Sequence, residues 1–295
     1  MSARLSNSSS LFRALHSIIP IGSFSGRGRL IAHKRKEFAI LVFLRAKLLK
    51  LSYLFLSFST LLIAEEYEFE PVPNKAEYFS GKFNEGKNMQ DLETWAEDFV
   101  DWAEENNWRK SSITAIFTPF FNDDLSDVDY VWLNILPNAS EQYSSLGYWL
   151  KNSSEFWATM PATNTRVVDV WQWPISEPSS GPGDQGMVRF SRCKLKEGVS
   201  LRKAFDTYKR FAIKAKSSED KMRRKILFGP SGTDDSNFDY VYSLYASSMD
   251  EFGKSADNFM ENLVGSPEAM ALGEISSCSN ARTYITKNIK QADQY

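Results

Sequence analysis

The chain has 295 residues, 42% of them hydrophobic and 24% charged, which is the composition of a folded protein rather than a disordered or disulfide-dense one. Its net charge of −2 conceals a split: residues 1–64 carry ten Lys/Arg against the single acid Glu37, while residues 65–295 carry 25 Lys/Arg against 36 Asp/Glu. Both histidines, His16 and His33, lie in the basic segment and only Cys193 and Cys278 follow it, so the acidic part has no place for histidine catalysis, a zinc ribbon or an iron–sulfur cluster.

Residues 1–36 hold seven Lys/Arg and eight Ser without an acid. Such a start is either an over-extended reading frame or an organelle transit peptide. Leu51–Ala64 is an uncharged run that follows Arg45, Lys47 and Lys50. As a helix it spans about 21 Å, short for a membrane span of about 20 residues and suited to the apolar core of a signal peptide. Residues 1–64 are therefore expected to be a leader, cleaved after Ala64, that sends the rest to the periplasm or outside. A retained membrane anchor is the alternative, or organelle targeting if residues 1–44 are a genuine transit peptide.

From residue 65 the elements come in a repeated order. Phe79-Ser80 and Lys82–Gly86 mark a first strand and turn. Leu92, Trp95, Ala96, Phe99, Trp102 and Ala103 then recur at helical spacing. Two apolar strands, Ile113–Phe121 and Tyr130–Leu136, flank the polar turn Asn122-Asp123-Asp124. A helical segment, Ser140–Phe156, and a strand, Arg166–Trp173, close the half. Ser176–Gln185 is rich in Pro, Gly and Ser, as linkers are. The order then returns. Phe190-Ser191 and Lys194–Gly198 precede the stripe Leu201, Ala204, Phe205, Tyr208, Phe211 and Ala212. Strands Lys225–Gly229 and Asp239–Tyr242, a helix Met249–Val264 and a strand Arg282–Ile289 complete it. The expected organisation is a leader at 1–64, a first repeat at 65–175, a linker at 176–185 and a second repeat at 186–295.

Both halves read β-α-β-β-α-β, the split βαβ or ferredoxin-like unit of the α+β class. Ile113–Phe117 and Tyr130–Leu136 are apolar on both faces, and helices cover only one. The two antiparallel sheets are therefore expected to pack face to face. Residues 65–185 carry 22 acids against 7 bases and residues 186–295 carry 14 against 18, so unlike charge favours the docking. This tandem pattern, over about residues 76–290, resembles the dimeric α+β barrel superfamily fused into one chain. That group includes antibiotic-biosynthesis-monooxygenase-like, EthD-like and NIPSNAP-like proteins, chlorite dismutases and small-molecule binders. The resemblance implies oxygenation, isomerisation, haem chemistry or binding alone, and the fold does not choose among them. The haem-binding members use a proximal histidine, which residues 65–295 lack.

All eight tryptophans, Trp95 to Trp173, fall in the first half. A hollow lined by Trp and Tyr between sheet and helices suits a flat apolar ligand, with Trp95, Trp132, Trp149, Trp171 and Tyr148 as candidate binding residues. Large aromatics at these periods equally fill a core. Tyr130, Trp132, Asn134 and Leu136 share one strand face. In a cofactor-independent oxygenase or isomerase, Asn134 and Tyr130 would hold an enolate or phenolate. Asp169, set in the apolar run Val167–Trp171, would shuttle a proton. The plainer alternatives are an amide satisfying a backbone group and a salt bridge from Asp169 to Arg189 or Arg192.

No phosphate loop, dinucleotide fingerprint, nucleophile elbow or metal-ligand cluster is legible, so no cofactor and no metal is expected. Arg202–Lys225 holds ten Lys/Arg against three acids. The acidic total argues against nucleic acid as a partner and for a face that docks the acidic half. Glu85-Gly86 and Glu197-Gly198 recur, as do Asp129-Tyr130 and Asp239-Tyr240; both read as turn geometry. Cys193 and Cys278 lie where a ferredoxin-like sheet makes neighbours, so they pair as a disulfide or stay as two buried thiols. The leading reading is an exported protein that binds a small aromatic or apolar molecule. The alternatives are a cofactor-independent monooxygenase or isomerase, and an interaction module with a collapsed pocket. Membrane contact is expected only through an uncleaved leader, and the two halves are expected to pair within the chain.

Overall fold

A computed structural model describes residues 67–177, 183, 185–233 and 237–292. The expectations for residues 1–64 lie outside the described residues, as do positions 178–182 and 184 of the expected linker. The first half runs β1 (Asn74–Phe83), α1 (Met89–Glu105), β2 (Ile113–Phe121), β3 (Tyr130–Leu136), α2 (Ala139–Asn152), α3 (Ser154–Trp157) and β4 (Ala162–Pro174). The second runs β5 (Gln185–Leu195), α4 (Leu201–Lys216), β6 (Arg223–Ser231), β7 (Tyr240–Ala246), α5 (Met249–Asn258), a π-turn (Phe259–Leu263), α6 (Pro267–Ile275) and β8 (Ser276–Lys290).

Local chemistry explains the boundaries. Asn88 caps α1: its side chain accepts from the Gln90 N–H, while Asp91 accepts from the Asn88 N–H, a reciprocal capping box. Gly86 and Gly198 both sit at φ +73°, the left-handed turn that admits glycine without strain. The Asp129 carboxylate accepts from the Phe83 N–H, and that of Asp239 accepts from the Leu195 N–H. The recurring Asp-Tyr pairs are thus turn clamps.

Several expected bounds shift: β4 begins at Ala162 and not Arg166, β6 runs from Arg223 to Ser231, and β7 runs on to Ala246. The segment 140–156 divides into α2 and α3 because Ser153 leaves helical geometry and its hydroxyl bonds the Trp149 carbonyl at 2.7 Å. The helix expected to 264 ends in the π-turn, and α6, with Pro267 in its first turn, follows it unforeseen. β8 begins at Ser276, so Cys278 lies within the strand and not before it.

The strands close into one antiparallel barrel, in the order β1-β3-β2-β8-β5-β7-β6-β4. The barrel is the form that the family resemblance implies, while the two facing sheets expected from the strand pattern are joined into one. The sheet edges are joined, β2 to β8 and β4 to β6, because an unjoined edge would leave a row of backbone donors and acceptors unpaired. Apolar residues on both strand faces find two destinations. Ala76, Ala115, Phe117, Val131, Leu133, Val170, Val188 and Leu227 pack inside the barrel. The outer faces pack under helices in two further cores, one around Trp95, Phe99 and Trp132, the other around Phe205, Tyr208 and Tyr240.

Cys193 and Cys278 are register partners on β5 and β8 and form a disulfide, S–S 2.07 Å, in place of two thiols. Some basic charges of α4 and β6 meet acids of the first half or the linker, and others acids of their own half. Arg202 pairs with Glu70 and Asp206, Lys216 with Glu177, and Arg224 with Asp220. Buried Lys209 donates to the carbonyls of Phe69 and Ile175, clamping the chain on both sides of the first half.

Candidate functional site

A cavity of about 400 Å³ lies between the outer face of β1, β3 and β4 and the helices α1, α2 and α3. Helical periodicity puts Trp95 and Phe99 of α1 on the face that meets the sheet. Strand alternation puts Trp132 and Asn134 of β3 opposite them. Leu146, Trp149 and Leu150 of α2, Trp157 of α3 and Trp108 from the α1–β2 connection complete the wall. The rings meet edge to face: Phe99 and Trp132 at 5.0 Å and 87°, Trp95 and Trp132 at 5.6 Å and 69°, Trp149 and Trp157 at 5.7 Å and 88°. Three indole N–H groups are tied back, Trp95 to the Thr159 hydroxyl, Trp108 to the Ser145 carbonyl and Trp132 to Asn134 Oδ1, at 2.8–3.0 Å. The rings are therefore fixed while their apolar faces line the space.

The floor is polar. Glu77 and Arg109 form a buried two-pronged ion pair at 2.7 and 3.0 Å, the geometry in which guanidinium and carboxylate match best. Asn134 donates to Glu77 at 3.3 Å, and Gln142 donates to Glu77 at 3.2 Å and to Asp169 at 3.0 Å. Gln142 Oε1 is buried with no hydrogen-bond partner. Arg109 sits at φ +51°, which a side-chain-bearing residue adopts only under constraint. The constraint is visible: its Nε donates to the Ser145 hydroxyl at 2.7 Å, its guanidinium covers the Trp108 ring, and Lys290 of β8 donates to its carbonyl at 2.9 Å.

The residues singled out from sequence divide between places. Trp95, Trp132, Trp149 and Asn134 line the cavity together. Asn134 Oδ1 accepts from Thr114 and Trp132, both at 3.0 Å; these are side chains, not the backbone group expected. Tyr130 lies deeper, stacked on Phe83, with its hydroxyl on Asn164 at 2.6 Å and burial raising its pKa. Asp169 stands outside the lining, paired with Lys75 at 2.6 Å and accepting from Tyr143 at 3.2 Å. Its cation is thus Lys75 of the adjacent strand and not Arg189 or Arg192, because β1 and β4 are register neighbours. Trp171 lies outside the cavity under the Lys75 ammonium, 4.7 Å away, and exposed Tyr148 bonds Asn106. The collapsed pocket is corrected too: the space among these tryptophans is open.

Glu77 and Arg109 escaped the sequence reading. Lys75, Glu77 and Asp169 occupy the outer strand face, where charge normally signals solvent, and only the overlying α2 buries them. The one sequence signal was an acid and a base two residues apart in a strand with an apolar opposite face.

No family model and no curated protein matches the chain. Among solved structures it is similar to a haem-binding protein from Thermus thermophilus, at 11% identity and TM-score 0.44 over 76% of this chain and 94% of that one. It is similar also to chlorite dismutase from Candidatus Nitrospira defluvii, at 8% and 0.44 over 73% and 92%. An anthrone oxidase-like protein matches at 7% and 0.46 over 75% and 94%. The structural neighbours are proteins of the dimeric α+β barrel type at low sequence identity. No residue role passes from them to this chain.

Proposed function

We propose that this protein binds a small, flat, apolar or aromatic molecule in the tryptophan-walled cavity. The observation that carries this reading is a space of about 400 Å³, within the ~300–1,000 Å³ of small-molecule sites, walled by Trp95, Trp108, Trp132, Trp149 and Trp157 over a polar floor. Apart from Gln142 Oε1, the polar groups named on the floor bond protein partners, which supports binding ahead of catalysis. Asn134, Tyr130 and Asp169 each spend their polar atoms on protein groups and do not converge on one point. An enolate would have to displace these bonds. Haem suits the cavity poorly: its lining holds no histidine, cysteine or tyrosine, and offers iron only the thioether of Met160.

Two further readings belong with this one. The element orders of the two halves, and the strand orders β4-β1-β3-β2 and β8-β5-β7-β6, support a duplicated ferredoxin-like unit fused into one barrel. The disulfide supports an oxidising compartment, and with it the export expected of residues 1–64.

Titration of the protein with indole- and naphthalene-sized compounds, read by tryptophan fluorescence, tests the binding. Saturable quenching is expected, with at least tenfold weaker binding in Leu146→Trp, whose larger ring at a half-buried lining position takes up the space. Quenching that stays linear with concentration overturns the proposal. Intact mass of protein from its own host reads the compartment: a mature start near Glu65 is expected, and an unprocessed, reduced chain sinks the export reading.

A further inference from the structure

A second hollow lies inside the barrel and shares no lining residue with the tryptophan cavity. Its volume is about 210 Å³, and its body is apolar, built from inward residues such as Tyr78, Phe117, Val170, Phe190 and Leu227. Its mouth is of the opposite character. Arg166 of β4, Arg192 of β5 and Arg282 of β8 line it there with Asp127, the one lining acid among the described residues. Three cations converging on one opening stand out in a segment with 36 acids against 25 bases.

The strand irregularities fall at this same end. β1 and β4 slip register between Ser80 and Gly81, beside Arg166. β5 and β8 slip between Phe190 and Arg192, where β8 carries an extra residue and Asn280 turns to φ +50°. β4 and β6 slip between Asp169 and Trp171, next to Pro230 at the rim. Bulges at barrel rims bend strands and re-aim side chains, and each of these brings a lining residue to the opening. Arg282 stands 3.5 Å from exposed Asp123 and 3.9 Å from Asp127 and bonds Tyr284, which fixes its direction. The Arg192 guanidinium rests over Phe238 at 5.4 Å. Clustered cations above a low-dielectric well concentrate field lines and draw anions inward.

We infer that the barrel mouth binds a small organic anion: a carboxylate set among Arg166, Arg192 and Arg282, carried on an aryl or short alkyl body that fills the lumen. Guanidinium forks match carboxylate oxygens, and the lumen offers the body apolar walls on all sides. The volume, below the ~300 Å³ of drug-sized pockets, limits that body to a ring with a few carbons or a short chain.

Calorimetric titration with 4-phenylbutyrate and octanoate tests this, with 4-phenylbutanol as the uncharged control. Saturable binding of the acids is expected, weakening as salt is raised, and at least tenfold weaker for the alcohol. Arg166→Gln and Arg192→Gln are each expected to weaken the acids at least tenfold. Arg166 is exposed, so its variant keeps the fold, checked by an unchanged melting temperature. Leu146→Trp, which takes up space in the other cavity, leaves acid binding unchanged. Absence of binding, equal binding of acid and alcohol, or binding kept in both arginine variants overturns the inference. Acid binding lost in Leu146→Trp overturns it as well, by moving the anion to the tryptophan cavity.

Discussion

At the scale of the residue, the Glu77–Arg109 pair is the most exacting feature. Both side chains are buried, and a buried ion pair is strongly destabilised when one partner goes, since the other charge stays behind in low dielectric. Glu77→Gln is expected to cost about 3–5 kcal/mol in urea unfolding; a loss below about 1 kcal/mol would mean that water reaches Arg109. Lys225 differs because, among the described residues, no carboxylate pairs with it. Its ammonium donates to Gln172 Oε1 at 2.8 Å, Ser243 lies opposite on β7, and Arg223 of its own strand repels it. Burial and that repulsion pull its pKa down to about 8. The unfolded side chain titrates near 10.4, so between these values the unfolded state holds more protons and stability rises with pH. The penalty is complete at pH 7 and is relieved by pH 10.5, to a total of about 3 kcal/mol. The stability difference between wild type and Lys225→Met should therefore swing by that amount in favour of wild type as pH rises. Parallel curves contradict it.

At the scale of the element, most of what the sequence made legible was periodicity. β2 and β3 have the bounds that their apolar runs predict, and α1 buries Leu92, Trp95, Ala96, Phe99 and Ala103 from the expected stripe. What escaped was decided by neighbours in space. α6 has little one-sided patterning and is held by tertiary contact: its Ala269 and Leu272 pack against a core of Phe211, Ala215 and Leu263. Trp171 obeys the same alternation as Trp132, yet a lysine and not a hollow lies over it. The bulge at Gly81 is likewise invisible in a one-dimensional pattern. A β-carbon there would stand 2.1 Å from the Thr163 carbonyl oxygen and 2.8 Å from the Tyr130 hydroxyl. Gly81→Ala should cost about 1–3 kcal/mol by overpacking, measured by chemical denaturation. A neutral result would show that β1 and β4 separate freely.

At the scale of the whole molecule, the barrel was legible only through the family resemblance, because edge closure depends on strand twist and tilt accumulated over eight strands. Closure makes stability collective. The disulfide links positions 85 residues apart within one barrel. Cys193→Ser with Cys278→Ser should lower stability by about 2–4 kcal/mol. At about 2–4 °C per kcal/mol for this size, the melting temperature falls while unfolding stays a single transition. Two separated transitions would mean that the halves unfold independently. One consequence concerns synthesis itself. β8 supplies the bridge between β2 and β5, and Lys290 on it holds the backbone beneath Arg109. Until β8 has left the ribosome, β2 and β5 have no strand to close on, and the hollow beside Arg109 lacks its brace. Vectorial translation thus delays completion of the first half until the second has been made.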